Sequence, residues 1–238
     1  MRYAWNTHLF FTLRQLGWCD GVWFLLSELV GRLSGGRAQI IKYHLLVQPL
    51  NDMPHIPPYR GAALHVREVE EGDPLLEAMG RNPQSMRRRF QQGAHCLALL
   101  KHGDLVGYLW WQGGAYEEDE VRCLFLPQPE GRAVWDFDVF ICPSQRLSAS
   151  FAKLWQEAGR RLRERGFTHT CSRISAFNPA SLSAHRHLGA HVVGSRIFMV
   201  FGGLEVSVGS QTPRWYVSRP GTPGPHIKVG PLGDGPVG

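Results

Sequence analysis

The middle of this 238-residue chain alternates strand-like and helix-like segments, and this order constrains its fold more than any other feature. The pattern predicts one strand, two helices, three strands, a long helix, a strand, a short helix and a strand. The strand-like segments are 64–67, 96–101, 105–111, 132–142, 167–174 and 191–200. The helix-like segments begin near Asp73, Asn82, Ser148 and Pro179. Such an order predicts an α/β (α+β) domain in which helices flank a mixed sheet.

The two ends of the chain differ in composition from the middle. Residues 1–60 are predicted to form a helical extension followed by a proline-rich linker, with a rough helical stripe over 1–45 that Gly35 and Gly36 interrupt. Residues 61–206 are predicted to form the folded domain. Residues 207–238 are rich in proline and glycine, which predicts a poorly ordered tail.

The charge of the chain indicates the kind of partner it meets. A net charge of +6 favours an anionic partner such as a nucleotide, a carrier protein or a phospholipid surface. Nucleic acid is disfavoured, because the basic residues are not interleaved with aromatic residues on one strand face. No secretory signal is evident and no apolar run reaches the ~20 residues of a membrane span, which predicts a cytoplasmic protein. The apolar helix within residues 1–34 would also suit peripheral contact with a membrane.

The cysteines and histidines do not form a metal-ligand pattern. The five cysteines include no CxxC pair. His185, His187 and His191 have no carboxylate or cysteine at a useful spacing. The sequence therefore predicts no metal site.

The junction between the strand 132–142 and the long helix carries the first signature. Residues 141–151 read Ile-Cys-Pro-Ser-Gln-Arg-Leu-Ser-Ala-Ser-Phe. This junction and the order of elements, over about 140 residues, resemble the GNAT (N-acetyltransferase) superfamily. In that family a loop of form V-x-P-x-x-R-G-x-G-x-G holds the CoA pyrophosphate at a helix N-terminus, where backbone N–H groups and the helix dipole favour an anion.

The match to this loop is partial. Pro143 and Arg146 match, Ala149 is a small substitute for a glycine, and Leu147 and Phe151 replace two others. The resemblance implies a GNAT-like, mostly antiparallel sheet of about six or seven strands. It also implies that acetyl-CoA or another acyl-CoA contacts the strand end and the loop. The implied contact residues are Phe140, Ile141, Arg146, Leu147, Ser148, Ala149, Ser150 and Phe151.

A second signature follows the strand 167–174. Family members read roughly N-x-x-(small)-x-x-x-Y-x-x-L-G-F, and Asn178, Leu188 and Gly189 match at the right offsets. The resemblance implies that Asn178 and Ser181 contact the acyl-CoA. His185 stands where the family usually has the tyrosine that protonates the departing thiolate, and an imidazole can do this work near neutral pH. The alternative is that His185 faces solvent from a short helix.

Two aspartates are the candidates for a general base. Strand alternation predicts that Asp136 and Asp138 share one face, and repulsion between them would raise one pKa towards the useful range. We therefore expect Asp138, with Asp136 beside it, to accept the acceptor's proton. The alternative is that they pair with Arg122 or Arg173 on neighbouring strands.

Glu120 ends an acidic run, residues 117–120, and is the other candidate for the base. The start of this run is expected to be a solvated turn. Glu120 itself would reach the mouth of a cleft and bind a cationic substrate.

The resemblance implies acyl transfer from acyl-CoA to an amine or hydroxyl acceptor, such as a small amine or an amino-acid-like molecule. It also implies that the sheet splays between strands 132–142 and 167–174 and leaves a cleft for the pantetheine arm. One alternative is an autoinducer-type or N-acyl amino acid synthase that uses acyl carrier protein, for which Arg87-Arg88-Arg89 would supply a basic docking patch. Another is a catalytically inactive GNAT-like binding module.

Overall fold

The computed structural model describes residues 2–52, 56–57 and 59–231, with the backbone alone for residues 2–12. The helices are α1 (Arg2–Leu33), α2 (Leu75–Ala78), α3 (Pro83–Gln91), α4 (Ser150–Glu164) and α5 (Pro179–His187). The first strands are β1 (Ala38–Pro49), β2 (Leu64–Val69), β3 (Ala94–Lys101), β4 (Asp104–Gly113), β5 (Tyr116–Glu117) and β6 (Leu124–Pro127). The remaining strands are β7 (Ala133–Ile141), β8 (His169–Ser175), β9 (His191–Phe201), β10 (Leu204–Gly209), β11 (Trp215–Ser218) and β12 (His226–Val229).

The chain divides into two compact units. The first unit comprises residues 1–47, 117–126 and 173–238, and the second comprises residues 48–116 and 127–172. The predicted boundaries at residues 60 and 206 do not coincide with this division, because segments from both ends of the chain belong to the first unit.

The second unit is built on strands in the order β8-β7-β4-β3-β2. Its pairs from β2 to β7 are antiparallel, whereas β7 and β8 are parallel. Helix α4 packs on β2, β3 and β4 through an apolar stripe that includes the buried Leu154, Trp155, Ala158 and Leu162. Helix α3 begins at an Asn82 cap, whose side chain accepts a hydrogen bond from the Gln84 N–H at 2.8 Å.

The first unit contains a strand that was not predicted. Its antiparallel strands run in the order β11-β10-β9-β1, and β1 pairs with β9 from Ala38 to Val47. The helical prediction for residues 38–45 is therefore wrong. β1 is buried on both faces, so its apolar residues form a run rather than an alternation, and such a run cannot be told from a buried helix by its period.

The predicted tail is ordered through residue 231. It contains part of β10 and all of β11 and β12, and the carbonyl of Pro213 accepts hydrogen bonds from the guanidinium of the buried Arg196. Ile227 and Val229 on β12 are buried. The prediction of a poorly ordered tail is wrong over this range, because the prolines and glycines connect short strands. Residues 232–238 lie outside the described residues, as do Pro54 and Pro58 of the predicted linker.

The fold class is confirmed: a large, mostly antiparallel sheet is flanked by helices and preceded by an N-terminal helix. The described residues contain more strands than the predicted six or seven, because β1 and the strands after residue 204 were not anticipated. Every strand and helix predicted between residues 64 and 200 is present. Most of their boundaries differ from the predicted ones by one or two residues. The solvated turn expected at the start of the acidic run is wrong, because Glu117 belongs to β5 and Glu118 is buried.

Candidate active site

The two parallel strands of the second unit separate after a short stretch. The register of β7 with β8 comprises three pairs, from Ala133 with His169 to Trp135 with Cys171. The opposite edge of β7 stays paired with β4 as far as Ile141. Residues 136–141, including the predicted donor contacts Phe140 and Ile141, therefore present one strand edge that is not in register with β8. An extended chain containing amides can pair with such an edge.

A β-bulge interrupts β7 inside this stretch. The register with β4 passes from Trp110 opposite Phe137 to Tyr108 opposite Phe140, so β7 has one extra residue. Asp138 lies at the bulge and has a φ of 47°. This is a left-handed conformation that aspartate adopts more readily than most residues. The bulge reverses the alternation of side chains on the C-terminal side of Asp138.

The bulge turns Asp138 away from Asp136. The Asp138 carboxylate accepts hydrogen bonds from Arg81 and, at 2.6 Å, from Arg89. The Arg89 guanidinium also lies 5.2 Å from the centroid of the Phe137 ring. Asp138 is therefore on the side of Phe137, and the prediction that the two aspartates share a face is wrong.

Its two arginine partners make Asp138 a weak candidate for the base. Each arginine occupies an oxygen of the carboxylate and would have to be displaced before a substrate could reach it. The expected partners of the alternative interpretation, Arg122 and Arg173, bond to Glu205 and Glu118 instead.

Asp136 has the properties that a general base needs. It is the first residue of β7 beyond its last pair with β8, and it is 3% exposed. Burial raises the pKa of Asp136 to about 7, and the neighbouring hydroxyls of Thr170 and Ser172 offset that rise in part. Its Oδ2 atom has no hydrogen-bond partner among the described residues. A carboxylate with this pKa exchanges protons near neutral pH.

The predicted donor-binding loop forms one compact turn between β7 and α4. The Ser148 hydroxyl donates to the carbonyl of Gln145 at 2.7 Å and accepts the N–H of Ser150 at 3.2 Å. The Arg146 Nε donates back to the carbonyl of Ile141 at 3.4 Å. The side chain of Leu147 is fully exposed. Because α4 begins at Ser150, the positive end of its dipole faces this turn.

One cation beside this turn was missed by sequence reasoning. Lys101 ends β3, and its Nζ donates to the Gln145 side chain at 3.4 Å. It lies 40 residues before the loop motif in the chain, so no local spacing could have associated it with the loop.

Asn178 and Ser181, the predicted donor contacts in the first unit, bond to each other. The Asn178 Oδ1 accepts the N–H of Ser181 at 3.1 Å and thereby caps α5. The role of Asn178 in this structure is to start the helix.

His185 is buried rather than exposed to solvent, so the solvent-facing alternative is wrong. It is 4% exposed, and its Nδ1 lies 2.9 Å from the carbonyl of Ser181. Because a carbonyl only accepts, Nδ1 carries the proton. Burial lowers the pKa of His185, and the bond to Ser181 offsets this in part. A neutral imidazole in this tautomer can accept a proton at Nε2 but has none to donate there.

Glu120 belongs to a cluster in the first unit. Its Oε2 accepts the hydroxyl of Tyr43 at 2.5 Å and lies 3.6 Å from Nη2 of Arg173. The buried Glu118 holds Arg173 through two bonds of 3.0 and 2.6 Å. Sequence reasoning missed Tyr43 because it lies on the unpredicted strand β1.

Two features are absent from the part of the chain that the structure describes. No group of three or more histidines, cysteines, aspartates or glutamates is arranged to hold a metal ion there. Among the residues that the structure describes, no helix is both long and apolar enough to cross a membrane.

Comparisons with known proteins find similarity at the level of solved structures. No family model matches this chain, and no curated protein matches it. A functionally unknown conserved protein from Staphylococcus epidermidis is 11% identical, with 73% of this chain and 66% of that chain covered and a TM-score of 0.49. A protein assigned to the GNAT family of acetyltransferases from Novosphingobium aromaticivorans is 12% identical, with 68% and 64% covered and a TM-score of 0.47.

A third similar structure is a ribosomal-protein-alanine N-acetyltransferase from Brucella melitensis. It is 21% identical, with 52% of this chain and 83% of that chain covered and a TM-score of 0.40. This chain spans 66% and 56% of the lengths of the first two solved structures that match it. Similarities of this size leave the activity open.

Proposed function

We propose that this chain is an acyltransferase that moves an acyl group from a pantetheine thioester, such as acyl-CoA, to an amine or hydroxyl acceptor. The observation that carries the proposal is the separation of β7 from β8 after three residue pairs, immediately before a turn at the N-terminus of α4. A free strand edge and a helix N-terminus in succession suit the two parts of such a donor, its amide-containing arm and its phosphates.

In this proposal the phosphate-bearing part of the donor lies at the turn of residues 146–151. Arg146 and Lys101 supply positive charge, and the first turn of α4 supplies backbone N–H groups that have no acceptor within the helix. The pantetheine amides pair with the edge of residues 137–141. The thioester then lies near Asp136, where the strands part.

The chemical step requires a base for the acceptor's proton and a source of a proton for the leaving thiolate. The acceptor nitrogen or oxygen attacks the thioester carbonyl carbon, and the carbon–sulfur bond breaks as the new bond forms. Asp136 takes the proton from the acceptor, directly or through one water molecule. The thiolate leaves and takes up a proton from solvent water, and Asp136 returns its own proton to solvent after the transfer. His185, predicted as the donor of that proton, is in a state that suits acceptance instead, so we assign it no role in this step.

Calorimetry with CoA and acetyl-CoA tests the proposal. Arg146→Glu places a negative charge beside the proposed phosphate position and should weaken binding at least tenfold, because bonds to charged groups contribute about 1.5–3 kcal/mol. Arg60→Glu makes the same charge change at an exposed residue of a turn and is the matched control. Unchanged affinity in a folded Arg146→Glu protein would place the donor elsewhere.

The carrier of the acyl group stays a prediction. Titration of the same two variants with an acyl-loaded carrier protein separates the CoA-dependent and carrier-dependent alternatives. Binding of the carrier protein without binding of CoA would favour the synthase alternative, for which the exposed Arg87 and Arg88 supply positive charge.

A further inference from the structure

A cavity of about 380 Å³ lies within the first unit, apart from the residues assigned above to the donor. Its lining includes Ile40, Tyr43, Glu120, Arg173, Ser175 and Phe177. Phe177 is held in place by an edge-on contact with Phe24 on α1, at a centroid distance of 5.5 Å. The cavity therefore combines apolar walls with two charged side chains.

The charges of this cavity do not balance. The Glu118 side chain is fully buried and bonds twice to Arg173, so the charge of that guanidinium is compensated by a group that no ligand can reach. Glu120 is the second carboxylate, and its side chain is 55% exposed. The cluster of two glutamates and one arginine has one negative charge in excess, and the most accessible of its charged groups is Glu120.

A hydrogen bond from Tyr43 fixes the position of the Glu120 side chain. Burial raises the pKa of Tyr43, so the phenol keeps its proton and donates it to Glu120 Oε2. The guanidinium of Arg173 also packs on Tyr43, 4.6 Å from the centroid of its ring. Glu120 is therefore oriented before any ligand arrives, which lowers the cost of binding.

We infer that this cavity binds the ammonium group of a small organic amine at Glu120, with the apolar part of the amine against Ile40 and Phe177. An anion is disfavoured, because Glu118 already compensates the one accessible arginine. The inference concerns the first unit alone and does not depend on the donor site proposed in the second unit. The binding itself needs no thioester.

Three probes with the same ring and similar chain length test the inference: 2-phenylethylamine, 2-phenylethanol and 3-phenylpropionate. Each is titrated calorimetrically into the full chain without any thioester. We expect the amine to bind at least tenfold more tightly than the alcohol, because a hydrogen bond to a charged group contributes about 1.5–3 kcal/mol. Glu120→Gln should abolish this preference, and Glu120→Asp should retain part of it. Glu130→Gln removes an exposed carboxylate from the other unit and should leave it unchanged.

Several results would overturn the inference. If 3-phenylpropionate binds most tightly, Arg173 is the recognising group. If the amine and the alcohol bind equally, the cavity recognises only the apolar part of the ligand. If none of the three probes binds, the cavity is not a binding site for this class of molecule. The same samples are then titrated with CoA. If CoA binds and the amine does not, this inference fails while the proposed function stands. If the amine binds and no thioester does, the proposed function fails and the amine site stands.

Discussion

Asp136 combines a cost to folding with a chemical use. Its carboxyl group is buried, and one of its oxygens has no hydrogen-bond partner among the described residues. Unpaired buried polar groups destabilise a fold, and they concentrate at functional sites. Burial raises the pKa of this carboxyl from the ordinary 3.8 to about 7, so the group gains and loses its proton near neutral pH.

The first prediction concerns the pH dependence of acyl transfer. If Asp136 is the base, kcat/KM should rise with pH to a plateau above about pH 7, since only the ionised form accepts a proton. Asp136→Asn should lower kcat about 10²–10⁴-fold and abolish this limb of the profile. The matched control is Asp104→Asn, at an exposed carboxylate on β4. A profile in Asp136→Asn that still rises through pH 7 would exclude Asp136 as the titrating group.

The second prediction concerns stability, and its sign is opposite to that of most aspartates. The folded state keeps the proton of Asp136 up to about pH 7, whereas the unfolded state loses it near pH 3.8. Between these values the folded state binds more protons, so the free energy of unfolding falls as pH rises through this window. The full change corresponds to roughly 4 kcal/mol.

Asp136→Asn should remove this dependence, because an amide does not titrate. We expect the variant to lose less stability than the wild type between pH 4.5 and pH 8, measured by urea unfolding at each pH. Parallel curves for the two proteins would mean that Asp136 is ionised in the folded state throughout.

The contrast between Asp136 and Asp138 marks the limit of sequence reasoning at single residues. The sequence identified both aspartates as candidates, because the alternation of side chains along one strand depends only on neighbouring residues. Their opposite environments depend on one extra residue in β7 and on arginines from α3 and the segment before it, which are separated from them by about fifty residues in the chain. No periodicity in residues 132–142 indicates the bulge.

At the scale of elements, the segments with a single buried face were predicted most accurately. Helix α4 has one apolar stripe, and its predicted start at Ser148 differs from the observed start at Ser150 by two residues. Helices α3 and α5 also begin within one residue of their predicted starts, because the Asn82 and Asn178 side chains cap them through local hydrogen bonds. β1 was missed because its partners, β9 and the segment after β8, are more than 130 residues away.

Helix α1 presents an apolar face that the described residues leave uncovered. Trp18 is 92% exposed and Leu33 is 79% exposed, and Val22, Leu25 and Leu29 lie between them at helical spacing. A continuous exposed stripe of this kind usually marks an interaction surface. The contact with a lipid surface that the sequence predicts for residues 1–34 stays a prediction.

Vesicle sedimentation tests this prediction. Trp18→Glu and Leu29→Glu should each weaken binding to vesicles of mixed phosphatidylcholine and phosphatidylglycerol by at least tenfold, since each removes apolar area and adds a repelled charge. Tyr59→Glu changes a residue that is 78% exposed in the second unit and serves as the control. Failure of the wild-type protein to sediment with these vesicles would exclude a lipid role for the stripe.

At the scale of the whole molecule, the first unit is assembled from distant parts of the chain. It contains β1 from the N-terminal region, residues 117–126 from the middle and everything from residue 173 onward. The sequence predicted instead that residues 61–206 form the domain and that the ends are appendages. The ends were assigned this way because of their composition. Proline and glycine indicate turns and irregular backbone, but they do not show whether those turns connect paired strands.

The two views differ in what they predict for a fragment of residues 61–206. This fragment lacks β1, whose side chains Tyr43, Leu45, Leu46 and Val47 are at most 1% exposed. Burying a large apolar side chain contributes about 1.5–3 kcal/mol, so the loss of these four is roughly 6–12 kcal/mol. This is comparable to the whole stability of a typical domain, about 5–15 kcal/mol.

We therefore expect the fragment of residues 61–206 to show no cooperative urea transition when unfolding is followed by circular dichroism. The full chain, measured under the same conditions, is the reference and should show one. A cooperative transition of the fragment at a similar urea concentration would show that β1 and the strands after residue 206 are dispensable for the fold.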